Sequence, residues 1–159
     1  MPASQGPHSL FGPAPETTKG YTAPCSLPGP GDVIVVAGGG DESRALLGEL
    51  IGERAINLGI AGFALDGAAR DAETLGEIGM PVFARATTPA GPYKNGPSRL
   101  GTPISFGGVP VMPGDIIIGD SDGVVIIPRE QAMNVAEAAE AVFADESNRR
   151  AAIIADRTK

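Results

Sequence analysis

Cysteine and histidine are almost missing from this sequence: Cys25 and His8 are the only residues of either kind. A lone thiol forms no internal disulfide, and Cys25 lies in a Pro-rich stretch without a redox partner. A Cys/His zinc site cannot be assembled within one subunit. Any resident metal must therefore be a hard cation held by oxygen ligands. Lysine is scarce too, limited to Lys19, Lys94 and Lys159, none in a strongly apolar segment. That argues against a buried Schiff-base amine. No apolar run approaches the ~20 residues that span a bilayer. The N-terminus shows no basic segment followed by an apolar one, so a cytoplasmic protein is expected. Aromatic residues make up 4% of the chain and tryptophan is absent, which leaves an aliphatic core. Acidic residues dominate instead: the net charge is -7, which disfavours nucleic acid and anionic membrane as partners. The length suits one domain with one core.

Glycine (23) and proline (15) are plentiful and mark short strands and tight turns. Residues 1–31 are saturated with Pro, Gly, Ser and Thr and show no period of 2 or 3.6, so an extended or disordered leader is expected before a single domain over 32–159. "DVIVVA" (32–37) reads as a strand buried on both faces, and "GGGD" (38–41) as a turn. "ESRALLGELIGERAINLG" (42–59) has helical apolar spacing and a natural stop at Gly59. Its start is open: Asp41 or Ser43 as cap, or a beginning near Gly48. "IAGFALD" (60–66) is a second strand, so strand, helix and strand form a parallel βαβ unit. A short helix over 71–79 and a strand "VFAR" follow. The Pro/Gly-rich loop 86–101 is long enough to suggest a functional segment. Four short strands are expected at 102–106, 109–112, 115–120 and 123–128, with turns that favour hairpins. "PGPGDVIVV" and "VMPGDIIIG" resemble each other, both placing Gly-Asp before an aliphatic strand. The chain closes with a long Ala/Glu-rich helix whose stripe is Val135, Ala138, Ala139, Val142 and Phe143. That stripe would dock on the chain's own sheet or on a neighbouring subunit.

Strand ends are where open α/β sheets hold ligands, and "LDGAARD" (65–71) falls at such an end. Arg70 offers a fork of donors for a carboxylate or an enolate oxygen. Asp71, Asp66 and Glu49 offer hard oxygen ligands suited to Mg²⁺. The bland alternative is an Asp-Gly turn with Asp71 capping the next helix and Arg70 paired locally. Gly48 to Ile51 has two readings as well: a helix start with free N–H groups facing an anion, or a mid-helix glycine costing about 1 kcal/mol. The "GGGD" turn lacks the GxxxxGK[ST] pattern of a nucleotide P-loop.

In order along the chain, "PGDVIVVAGGGDESRALLGELI", "GIAGFALDGAARD", "MPVFARATTPAGP" and "GGVPVMPGDIIIGDSDGVVIIP" resemble the RraA-like family. Its members include 4-hydroxy-4-methyl-2-oxoglutarate aldolases and regulators of ribonuclease E activity. The likeness covers about residues 29–145. It implies an α/β fold, a β/β/α sandwich of the swivelling-domain type with a βαβ unit and a C-terminal helix. Also implied is a homotrimer or dimer of trimers with sites near subunit interfaces. The family pairs an acid with Arg-Asp after a twenty-residue gap, here Glu49 with Arg70-Asp71. On that resemblance the chain is a divalent-metal-dependent pyruvate aldolase, using Mg²⁺ or Mn²⁺ on a small 2-oxo acid. Gly48, Glu49, Leu50, Ile51 and Arg70 would hold the pyruvoyl end, with Arg70 and Glu49 catalytic. Asp71 would bind the metal directly, while Asp66 and Glu49 would orient its waters. Oxaloacetate decarboxylation is the implied side activity, and a non-catalytic regulator of ribonuclease the alternative. The leader stands where relatives commonly carry a helical and strand-bearing segment, so a sandwich left incomplete or finished by another subunit is expected. Ala37 replaces a common acid or amide.

Overall fold

The computed structural model describes residues 8–9, 18–21, 28–93 and 99–157. Cys25, Lys94, Lys159 and most of the leader lie outside the described residues. Along the chain run β1 (His8–Ser9), β2 (Thr18–Tyr21), β3 (Val33–Ala45), α1 (Glu49–Asn57), β4 (Gly62–Ala69) and α2 (Ala72–Glu77). They are followed by β5 (Val82–Thr87), β6 (Ile104–Phe106), β7 (Val109–Val111), β8 (Ile116–Asp120), β9 (Gly123–Ile127) and α3 (Ala132–Asp156).

β3, β4 and β5 are parallel neighbours, with β1 antiparallel on the outer side of β5. A second sheet has the order β2-β8-β9, all antiparallel, and β6 and β7 form a separate hairpin. Every residue of β4 is buried, as a central strand covered on both faces requires. Alternation along β4 divides the core. Phe63, Leu65 and Ala69 pack with Leu47, Ala55, Leu75 and Met80 from the helical layer. Ala64 packs the other way, with Val33, Phe106, Val111 and Ile117 from the β layer. The result is a helix layer, a parallel sheet and a second β layer: the β/β/α sandwich.

The sheets approach closely because Gly119 has no side chain. A Cβ there would lie 2.6 Å from the Phe83 ring. The two Gly-Asp motifs do the same local job. Asp32 accepts the Gly29 N–H and Asp115 accepts the Met112 N–H, each at 2.8 Å and three residues back. These side chains close the turns that launch β3 and β8, an Asx-type device.

One expectation changes. β3 does not stop at Ala37; it continues through the glycines to Ala45, with register shifts after Val36 and after Asp41. Asp41 pairs opposite Gly67 and Ala45 opposite Ala68, so pairing with β4 carries the chain through a segment that reads locally as a turn. The helix accordingly begins at Glu49 with Gly48 as N-cap, the later of the starts left open. Asp41 instead accepts the Ser43 N–H at 2.8 Å. That bond, with the Ser43 hydroxyl as the larger cause, holds the Asp41 carboxyl below its ordinary range.

α3 has no buried residue. Its stripe is open, Phe143 being 72% exposed, so it does not dock on the chain's own sheet.

Candidate functional site

The site forms where β4 leaves the sheet beside the start of α1. Leu46 N–H donates to Ala68 O at 2.7 Å, and Arg70 N–H donates to Leu47 O at 3.0 Å. These bonds place Gly48 directly against Arg70 and Asp71. A Cβ on Gly48 would stand 2.7 Å from Arg70 Nε and inside van der Waals contact of Asp71 Oδ2. Glycine is required there by close approach, since its own φ of −147° is ordinary extended backbone.

Asp71 has φ 54°, the only non-glycine residue with positive φ among the described residues. Such backbone is disfavoured for a side chain with Cβ and often accompanies a functional constraint. Asp71 holds the N-cap position of α2, yet its side chain makes no capping bond there. Its carboxylate turns instead to α1: Oδ2 accepts the Glu49 N–H at 3.2 Å and lies 3.2 Å from Arg70 Nε. Oδ1 takes no hydrogen bond from a described residue. The expected cap is therefore overridden; Asp71 serves the neighbouring helix end.

α1 presents its N-terminus to this carboxylate with no side-chain cap of its own. Ile51 and Gly52 N–H groups return to Gly48 O. The Leu50 N–H finds no acceptor among the described residues, which leaves a donor at the positive end of the helix dipole. The Leu50 and Ile51 side chains are exposed. A cavity of about 270 Å³ is lined by Arg70, Asp71, Thr87, Thr88 and Pro89. Thr88 N–H donates to Ala69 O at 2.9 Å and Ala45 N–H to Ala90 O at 2.9 Å, fastening the loop after β5 over Arg70. Thr87 and Thr88 were not singled out from sequence, although both belong to the long loop flagged as functional.

Gly48, Glu49, Arg70 and Asp71 thus meet, with Leu50 and Ile51 following in the first turn of α1. Asp66 is engaged elsewhere. It shares with Ala64 the β-layer side of β4, and its Oδ1 accepts Arg85 Nε at 2.5 Å in a largely buried pair. The Arg85 guanidinium lies close to Gly40 of β3 and Gly107 of the β6–β7 turn. Among the described residues no three His, Cys, Asp or Glu side chains group as a metal cage, so the cluster of Asp71, Asp66 and Glu49 is not assembled. What remains is one carboxylate with a free oxygen beside the Glu49 position. That donor set fits a mostly hydrated hard cation, which takes one or two protein carboxylates and keeps several waters.

A sequence profile of the RraA-like group, described as Aldolase/RraA, matches residues 16–126. A Halalkalibacterium halodurans protein named "Putative 4-hydroxy-4-methyl-2-oxoglutarate aldolase" is 47% identical over 78% of this chain and 59% of its own length. The chain therefore spans about three fifths of that relative. Among solved structures, Streptomyces coelicolor RraAS2, described as an unusual member of the RNase ES inhibitor RraA protein family, superposes with TM-score 0.78. It is 27% identical, covering 92% of this chain and 83% of that one. The RNA-processing inhibitor RraA from Thermus thermophilis gives TM-score 0.65 at 30% identity, over 80% and 87% of the two chains.

Proposed function

The chain belongs to the RraA-like family, and from that premise we propose that it is a carbon–carbon lyase acting on 4-hydroxy-2-oxo diacids. The substrate class includes 4-hydroxy-4-methyl-2-oxoglutarate, and the product is pyruvate. The observation that carries this reading is that the Arg70 guanidinium and the Asp71 carboxylate line one cavity, with the head of α1 held to Asp71 through the Glu49 N–H. Retro-aldol cleavage leaves the electron pair of the broken bond on pyruvate as its enolate, and charge stabilisation there lowers the barrier.

In this reading the Leu50 N–H at the head of α1 and the outer nitrogens of Arg70 take the substrate carboxylate and the 2-oxo oxygen. The Asp71–Arg70 contact holds Nε, which leaves the outer nitrogens for a ligand. Asp71 Oδ1, with Glu49 acting through water, would hold Mg²⁺ or Mn²⁺. The cation when bound supplies Lewis-acid stabilisation of the developing negative charge. The same stabilisation extends to decarboxylation of oxaloacetate.

The test is pyruvate release by the full chain, followed with a coupled reductase on hydroxy-oxo diacids and on oxaloacetate. Release that EDTA abolishes and Mg²⁺ or Mn²⁺ restores is expected. Turnover indifferent to chelation would remove the metal from the account.

A second reading draws on the solved relatives, one described as an RNA-processing inhibitor and one as an unusual member of an RNase inhibitor family, and on the open apolar stripe of α3. In it the chain docks on a ribonuclease and catalyses nothing. Ribonuclease inhibition unaffected by Arg70→Ala, with no pyruvate formed, is its signature.

A further inference from the structure

The long C-terminal helix stands apart from both layers of the core. α3 has no buried residue, and every position from Met133 to Asp156 is exposed. Its ends contribute little: no side chain caps the start, and neither an acidic first turn nor a basic last turn complements the dipole. Helices in water draw most of their stability from packing an apolar face. Here Val142, Phe143 and Ile153 are large, apolar and open, a surface that calls for a partner.

The order of residues along α3 says which partner fits. Val135, Ala139, Val142, Glu146, Arg149 and Ile153 succeed one another in alternating steps of four and three residues. That is the seam of a two-stranded coiled coil, with two opposite charges adjacent in it. A parallel copy in register would set Glu146 against Glu146 and Arg149 against Arg149, like charges face to face. An antiparallel copy, turned about a two-fold axis between residues 147 and 148, maps the seam onto itself. Glu146 then faces the partner's Arg149, and Val142 faces the partner's Ile153. Both contacts occur twice, as an isologous interface requires.

Charges beside the seam agree with this register. Glu137, Glu140 and Asp145 lie in the first half of α3, and Arg150 and Arg157 in the second, with Asp156 the exception. Antiparallel docking lays the acidic half of each copy along the basic half of the other. Arg149 Nη2 already holds Asp145 Oδ2 of its own helix at 2.7 Å in an exposed pair. A guanidinium keeps further donors for a second carboxylate, so it can hold Asp145 and the partner's Glu146 together.

We propose that α3 is a docking surface for a second copy of this chain, the two helices pairing antiparallel in the register set by Glu146 and Arg149. The apolar layers drive the association, while the central ion pairs select direction and register. A two-fold contact of this kind doubles whatever assembly the rest of the surface forms, and it is independent of the chemistry at the end of β4.

The test is the molar mass of the full chain by sedimentation equilibrium. Glu146→Arg and Arg149→Glu each place like charges at both central contacts, so each should halve the wild-type mass. The double variant should regain that mass, and so should an equal mixture of the two single variants. Direction is read from disulfides in a Cys25→Ser background. Val142→Cys mixed with Ile153→Cys should give a covalent dimer on mild oxidation. Neither should link to itself, its two thiols lying roughly 16 Å apart along the pair. Single reversals that keep the wild-type mass, or a wild type at the mass of one chain, would overturn the proposal and leave the stripe to a different protein. So would losses that neither the double reversal nor the mixture repairs, or a Val142→Cys chain that links to itself.

Discussion

The molecule contains two Arg–Asp pairs of the same chemistry and opposite character. Arg85 and Asp66 join neighbouring strands on the β-layer side of the parallel sheet, with side chains only 20% and 9% exposed. Arg70 and Asp71 are consecutive residues at a strand exit, 39% and 32% exposed, on the wall of a cavity. Burial decides what each pair does. The first is a lock whose charges are committed to each other, because a buried charge without its partner is costly. In the second only Arg70 Nε and one Asp71 oxygen are used, and both residues line the cavity. A pair of this kind contributes little to stability and retains capacity for a ligand.

Breaking each pair should separate the roles. Arg70→Ala is expected to lower kcat/KM for pyruvate release about a thousandfold, because an anion clamp and a charge stabiliser vanish together. Its unfolding free energy should change by less than about 1 kcal/mol. Arg85→Ala should do the reverse, with about 3–5 kcal/mol lost in denaturant unfolding because the Asp66 carboxylate stays buried alone. Activity of its folded fraction should fall far less than that of Arg70→Ala. Equal effects on both properties in both variants would erase the distinction.

Gly48→Ala sharpens the comparison from the backbone side. The added methyl must displace Arg70 Nε and Asp71 Oδ2, so kcat/KM should drop about a hundredfold, the scale of a misplacement near 1 Å. The Arg85–Asp66 pair should be undisturbed. The smallest effect lies at Asp41. Ser43→Ala removes the largest cause lowering its carboxyl, so its NMR titration midpoint should rise toward the ordinary value. A lowered native pKa gives stability that is present above the unfolded-state value and lost as pH falls through the native one. The variant should therefore lose a small part of its acid tolerance in that window and nothing near neutrality.

Much of this arrangement was readable from the chain. Aliphatic runs separated by Gly-Asp and Gly-Gly turns mark the strands, and Arg70 with Asp71 stands at a strand end in the sequence itself. The alternation Ala64, Asp66 against Phe63, Leu65 also placed Asp66 on the face away from α1, a signal that its carboxylate chemistry outweighed. The identity of its partner was hidden, because the parallel register of β4 on β5 depends on packing across the whole sheet. The course of β3 was hidden for a related reason. "GGGD" has the local preferences of a turn, and only pairing with Gly67 and Ala68 draws it into the strand. Asp71 shows the same limit, since a good capping residue caps nothing at α2 while its carboxylate accepts the Glu49 N–H at the head of α1.

The most direct measurement is a Mn²⁺ titration of the full chain followed by water-proton relaxation, with and without oxalate as a mimic of the pyruvate enolate. The account predicts a site strengthened by oxalate in wild type and in a folded Asp66→Asn variant, and lost in Asp71→Asn. Manganese binding that survives Asp71→Asn unchanged would contradict it.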